Sequence, residues 1–239
     1  MKKNLIIIVG LLMITAVCAV SAFIFSENNF PAPAECDDPN AVTFDDGDLS
    51  FAYIDSSGID PADGELVIAD IKGNKMLKFS DDGSNFKDGT VQKIKIDAAR
   101  LLSSENLAKV RSVEMDVYAD ATAKELVTEN GDNVKAPGWI GGGAGANVAG
   151  DKWYKFGDWE SGEYNFKMSG AVHIELKFLL AVSGQCWESS MDEATLMIMR
   201  WGSQNEGNFY IDNIVFYDED KNSLPIEKSP KPEKASADE

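Results

Sequence analysis

The chain has 239 residues, 44% hydrophobic and 26% charged, with 40 Asp and Glu against 22 Lys and Arg, a formal net charge of −18. That balance argues against nucleic acid and anionic membrane surfaces, both of which require clustered Lys and Arg. A single histidine and three cysteines without metal-ligand spacing leave no zinc motif.

The N-terminus places Lys2 and Lys3 ahead of residues 5–25, which carry no charge. Two lysines before an apolar block are the layout of a secretory signal, and Val20-Ser21-Ala22 offers a small-residue cleavage site. The block is also close to the roughly 20 residues that cross a bilayer as a helix, so an uncleaved signal-anchor is the alternative. Thr15-Ala16-Val17 lacks the residues that precede a lipoprotein cysteine, so Cys18 is not read as one. Either way the remainder is expected outside the cytoplasm. Residues 26–40, SENNFPAPAECDDPN, read as a polar linker. Cys36 and Cys186 are left to form a disulfide or to remain two thiols.

Residues 41–220 have the length of one domain and read as all-β. Alternating runs recur at 41–44, 51–54, 65–71, 75–79, 91–97, 112–119, 172–180, 195–201 and 209–217. Turn clusters separate them, among them Asp46-Gly47-Asp48 and Ser56-Ser57-Gly58. Only residues 98–110 look helical. Many strands without intervening helices predict a single jelly-roll sandwich of antiparallel strands. Residues 221–239 lack apolar periodicity and are expected to be a disordered tail.

Period-2 alternation assigns faces. In 112–119, Val113, Met115 and Val117 oppose Glu114, Asp116 and Tyr118. In 172–180, Val172, Ile174, Leu176 and Phe178 oppose His173, Glu175 and Lys177. In 195–201, Leu196 and Ile198 oppose Met197, Met199 and Trp201. If the three strands are neighbours in one sheet, their outward residues form one patch of rings and charged hydrogen-bonding groups. The alternative is an ordinary solvated sheet face.

A carboxylate within the aromatic run Gly207-Asn208-Phe209-Tyr210-Ile211-Asp212-Asn213-Ile214 needs a hydrogen-bond donor, a cation or water. This closing strand, an opening Phe44-Asp45-Asp46-Gly47, and GNKMLKF at 73–79 resemble the β-jelly-roll carbohydrate-binding modules of bacterial plant-polysaccharide degraders, a galactose-binding-like sandwich. The resemblance spans roughly residues 42–218. It implies a structural Ca2+ shared by the opening and closing segments, with Asp45 and Asp212 as ligands. The family usually has Glu where Asp45 stands, and Asp46 or the Gly47 carbonyl is left to complete the set. Oxygen ligands of this kind suit calcium. The other reading of Asp212 is a buried cap for backbone amides of a neighbouring turn.

Residues 137–156, PGWIGGGAGANVAGDKWYKF, followed by Asp158-Trp159-Glu160, read as a flexible glycine run that presents Trp139, Trp153 and Trp159. Its Gly-x-Gly-x-x-Ala pattern lacks the strand and helix of a nucleotide loop. Sugar rings stack their C–H faces on such indoles, although tryptophans also fill cores. No nucleophile elbow is present, and carboxylate pairs arise by chance among 40 acids. The expectation is non-catalytic binding of an extracellular polysaccharide, a plant cell-wall β-glucan or hemicellulose. The binding set is Glu114, Asp116, Tyr118, Trp139, Trp153, His173, Glu175, Lys177, Met199 and Trp201. A structural or adhesion protein with a protein partner is the alternative, and a jelly-roll hydrolase or lyase the remoter one.

Overall fold

The structure, a computed structural model, describes residues 30–54, 64–81, 92–121, 139–150, 152–156, 163–167, 169–201 and 207–228. The chain divides into two compact units, Met1–Ala32 and Pro33–Glu239. Of the first, only residues 30–32 are described. The second is a sandwich of two antiparallel sheets.

The first sheet runs β1 (Ala52–Ile54), β4 (Gln92–Asp97), β10 (Thr195–Trp201), β6 (Trp139–Val148) and β7 (Lys152–Lys155), and β8 (Glu163–Lys167) also pairs with β6. The second runs β2 (Glu65–Ile71), β3 (Asn74–Asp81), β11 (Gly207–Tyr217), β5 (Ser112–Ala121) and β9 (Ser169–Lys177). Between them lies the core, built from the inward residues of each strand. Ile94, Ile96, Leu196, Ile198 and Ala144 come from the first sheet, and Leu77, Phe79, Val113, Met115, Ile174 and Ile211 from the second. Phe156, Phe178 and Trp187 close one region through ring contacts of 5.0 and 5.1 Å.

The helical reading of 98–110 resolves into two short pieces. A 3-10 turn at Ala98–Arg100 is capped by Asp97, which accepts from Ala99 N–H, and α1 (Ser104–Lys109) is capped by the Ser103 hydroxyl. Each cap satisfies a backbone donor that the helix start leaves free. The run 41–44 contributes a single bridge, Val42 to Ile214, rather than a strand. The run 172–180 begins earlier and ends at Lys177.

The largest correction concerns 139–155. The glycine run is not a loop: it forms β6, in the interior of the first sheet, and Lys152–Lys155 returns as β7. Glycine has low intrinsic strand preference, but here it makes close packing possible. A Cβ at Gly142 would lie 1.9 Å from the Met199 carbonyl oxygen and 2.2 Å from the Tyr164 hydroxyl, which donates to that carbonyl at 2.5 Å.

The domain limits also move. Residues 221–228, read as tail, lie on the sandwich. Leu224 is buried, its N–H bonds Phe216 O at 2.8 Å, and Glu227 N–H bonds Leu101 O at 2.7 Å. The linker is likewise part of the second unit from Pro33 onward, and Ala34 N–H donates to the Tyr118 hydroxyl at 2.9 Å. Cys36 and Cys186 are both free thiols, the second buried. No described helix is long and apolar enough to cross a membrane. Residues 5–25, residues 229–239 and the Asp158-Trp159-Glu160 triplet lie outside the described residues.

Candidate functional site

The three strands expected to form one patch are divided between the sheets. β5 and β9 pair in the second, whereas β10 stands between β4 and β6 in the first. Glu114, Asp116, Tyr118, His173, Glu175 and Lys177 therefore lie on one outer face. Met197, Met199 and Trp201 lie on the opposite side of the molecule, where Trp139 and Trp153 belong by register.

On the second sheet the polar residues satisfy one another. His173 Nδ1 lies 2.9 Å from Asp116 Oδ1 and its Nε2 lies 3.3 Å from Glu114 Oε2. Lys221 donates to Glu114 Oε1 at 2.9 Å and to Glu175, and Lys177 meets Glu175 Oε2 at 2.6 Å. Asn213 Nδ2 donates to Asp116 Oδ2 at 2.7 Å. A ligand here would have to break paired charges. Tyr118 is no stacking platform, being 1% exposed beneath Ala34. Tyr118→Ala is expected to cost about 3–5 kcal/mol and lower Tm by roughly 10 °C, leaving glycan binding by the surviving folded protein unchanged; thermal melts and affinity electrophoresis check both parts.

Partial burial opposes a charge on His173, but Asp116 and then Glu114 outweigh it and raise the imidazole above its ordinary value. A raised folded value means stability fully present below about pH 6.5 and lost as pH rises through the folded value. Because the ring is exposed, screening holds the effect below about 1 kcal/mol. His173→Gln should remove that pH dependence, read as the difference in Tm between pH 6 and pH 8.

The outer face of the first sheet has a different character. Register places Tyr53, Lys95, Met197, Gly145 and Lys155 in one row across five strands, with Lys93, Met199 and Gly143 in the next. Their inward neighbours are core, so these residues stand on the outer side of the sheet, where Met197, Gly143 and Gly145 are nevertheless buried. Trp153 is 47% exposed, and its indole lies over Gly145, where a Cβ would sit 1.9 Å from the ring. The ring thus covers Gly145 while about half of the residue is open to solvent. Beside it opens a cleft of about 490 Å³ lined by Asn147, Lys152, Trp153, Met191, Asp192 and Glu193.

Asn147 holds the rim in place. Its Oδ1 accepts from Thr195 N–H at 2.5 Å and from the Thr195 hydroxyl at 2.9 Å, and its Nδ2 donates to Glu193 O at 3.1 Å. The Asn147 carbonyl takes the Trp187 indole N–H at 2.8 Å, which places that tryptophan in the core. Tyr53 donates its hydroxyl to Glu193 Oε1 at 2.9 Å. The sequence reading overlooked Tyr53, Lys93, Lys95, Asn147 and Glu193. Alternation marked 51–54 and 91–97 as strands, but nothing in it said which strands they join.

The opening and closing segments meet as the motif implied. Val42 and Ile214 exchange backbone bonds of 2.9 and 3.2 Å, beside a bulge in β11 between Asp212 and Val215. Phe44 (φ 57°) and Asn213 (φ 53°) both adopt left-handed backbone. That is costly for a phenylalanine, and here packing of its ring on Phe51 at 5.8 Å holds it. Asp212 is fully buried. Its Oδ2 accepts from Asn74 Nδ2 at 2.7 Å, while Oδ1 has no hydrogen-bond partner. Burial first, then the charges of Asp116 and Asp45, push its carboxyl up to about 6.

The orphaned, buried Oδ1 fits a ligand to a hard cation. Asp45 is exposed on the turn before Gly47 (φ 76°), and its carbonyl takes Lys75 Nζ at 2.7 Å. The Asp46 carboxylate pairs with Lys228 at 2.5 Å. Among the described residues no group of three or more His, Cys, Asp or Glu side chains is arranged to hold a metal ion without other donors.

The fold defines a class, the antiparallel β-sandwich with an aromatic outer face. Solved structures that it resembles are carbohydrate-binding modules. One is a family 28 module specific for non-crystalline cellulose, at 14% identity and TM-score 0.48 over 78% of this chain and 99% of that one. Another is the first family 27 module of Caldicellulosiruptor saccharolyticus, in complex with mannohexaose, at 14% identity and TM-score 0.44 over 75% and 96%. A third is the xylan-binding first family 22 module of Paenibacillus barcinonensis Xyn10C, at 6% identity and TM-score 0.41 over 79% and 94%. No family model and no curated protein matches the sequence.

Proposed function

We propose that the protein is a non-catalytic binder of an extracellular polysaccharide, and that the outer face of the first sheet is its binding surface. The observation that carries the reading is Trp153, packed over Gly145 and half exposed beside a polar cleft. Pyranose rings carry apolar C–H faces that stack on such an indole, and their hydroxyls require carboxylates, amides and ammonium groups. Lys152, Asp192 and Glu193 line the cleft within reach of the ring. A site combining an apolar floor with a few fixed polar groups is the usual form of a small-ligand surface. Plant cell-wall β-glucans and hemicelluloses are the substrates to try first, with the protein exported and retained at, or released from, the cell surface.

Calcium belongs to the same proposal. Asp212, Asp45 and the Gly47 carbonyl would hold the ion, which would supply positive charge to a buried carboxylate and tie the first segment to the last strand. Affinity electrophoresis in soluble polysaccharides tests the binding. Retardation by at least one cell-wall glucan or hemicellulose is expected, and no retardation in any of them overturns the reading. An adhesion protein is the second reading. It draws on Leu179, Leu180 and Val182, which are 72, 51 and 47% exposed in the loop after β9. Contiguous apolar exposure of this kind often marks a protein contact.

A further inference from the structure

The cleft of about 490 Å³ lies at one end of the first sheet, and its lining comes from two short stretches, residues 147–153 and 191–193. The first stretch is the end of β6, a turn and the start of β7; the second leads into β10 at Thr195. Asn147 ties them together through Thr195 N–H and the Glu193 carbonyl, so both walls are anchored to the sheet.

Toward the middle of the sheet the surface changes. The outer side of β6 presents Gly145, Gly143 and Gly141, that of β10 presents Met197, and all four are buried. Buried positions offer a sugar neither a ring face nor a hydrogen bond. Trp153 is the one exposed aromatic among the described side chains. Tyr53, half-buried, stands at the far edge of the sheet, four strand spacings or about 19 Å from β7. Stacking is therefore confined to a single indole on the edge strand. The volume is in keeping with that. It falls in the lower half of the roughly 300–1,000 Å³ that take a drug-sized ligand, space for about three sugar rings.

The two walls carry polar groups of opposite sign. On the hairpin wall Lys152 is exposed, with its ammonium beside Gly184, where a Cβ would lie 2.8 Å from Nζ. On the facing wall Asp192 is exposed, whereas Glu193 is directed to Tyr53, whose hydroxyl it accepts at 2.9 Å. Carboxylates outnumber the ammonium in the cleft, on a chain of net charge −18, so an anionic sugar meets repulsion there. Sugar hydroxyls both donate and accept, which suits an acid and an amine on opposite walls. Resting on the binding surface proposed above, we infer that its ligand is a short neutral segment of the polysaccharide, about three sugar units long. Trp153, Asp192 and Lys152 hold it at the hairpin end of the sheet, and the chain does not run across the strands.

Isothermal titration of the full-length protein with cello-, manno- and xylo-oligosaccharides of two to six units is the test. In at least one series affinity should rise up to three units and then level. The further gain at six units should be no more than about fourfold, the number of registers that such a chain offers a three-unit site. Asp192→Asn and Lys152→Gln should each weaken the three-unit ligand about tenfold, the loss of one charge-assisted hydrogen bond, with Tm unchanged. Trigalacturonate should bind at least about tenfold more weakly than the neutral trisaccharide. A gain beyond fourfold between three and six units overturns the inference, because the chain then engages the sheet outside the cleft. Full affinity in both variants overturns it too, as does trigalacturonate binding as tightly as the neutral ligand. Retardation by polymers with no binding of any oligosaccharide has the same consequence, and in all these cases polysaccharide binding itself survives. Binding of neither oligosaccharides nor polymers removes the binding surface instead.

Discussion

Trp153→Ala should weaken polysaccharide binding by about 30-fold, the loss of roughly 2 kcal/mol that follows truncation of an aromatic anchor. The indole is 47% exposed and faces away from the core, so Tm should change by no more than about 2 °C. Gly145→Val is the sharper companion. A Cβ at that position would sit 1.9 Å from the ring, so the indole must lift off the sheet while all its atoms remain present. Both variants should lose retardation in affinity electrophoresis. Loss in Trp153→Ala with full binding by Gly145→Val would mean that the packing of the ring on Gly145 is irrelevant. Full binding by both would move the ligand off this face.

Calcium should raise Tm more at pH 7.5 than at pH 5, because the group that receives it is Asp212. Burial raises this carboxyl from 3.8 to about 6, so the folded protein holds the proton more tightly than the unfolded chain. Folding is favoured at low pH, and that advantage is lost as pH rises from 3.8 through about 6. The full shift corresponds to about 3 kcal/mol, of which about half falls between pH 5 and pH 7.5. In EDTA, Tm should therefore drop by roughly 3–6 °C across that interval. His173 contributes a smaller loss of the same sign. Saturating calcium should remove most of the drop, since an ion that binds only the folded state stabilises it by mass action.

Asp212→Asn separates the metal from the charge. In EDTA at pH 7.5 the variant should be at least as stable as wild type, because it no longer buries an ionised group. It should also show no calcium response. An unchanged calcium shift in Asp212→Asn, or a wild-type Tm in EDTA indifferent to pH, would remove the ion from this site.

The class of fold was legible in the sequence because period-2 alternation is a local property. Runs such as 112–119 and 195–201 separate core residues from outward ones whatever their partners, and the parity assigned to Val113, Ile174 and Ile198 is the one they have. The junction of opening and closing segments was legible only through the resemblance of Phe44-Asp45-Asp46-Gly47 and the closing strand to a known family, because a carboxylate in a strand does not by itself say which segment lies beside it. The partnership of strands was not, because alternation carries no information about which sheet a strand enters. That is why Tyr118 and Met199, read as neighbours, lie on opposite faces, and why Lys95 and Lys155, 60 residues apart in sequence, share one row. Residues 139–148 were illegible for a different reason. Four glycines argue against a strand on propensity alone, and only the tertiary structure supplies what favours them, a tyrosine hydroxyl against Gly142 on the inner side and an indole against Gly145 on the outer. By itself, then, the sequence determined an all-β sandwich with a carboxylate, Asp212, set in its closing strand. The tertiary structure decided which face carries the stacking ring, since that depends on contacts between residues that no local pattern connects.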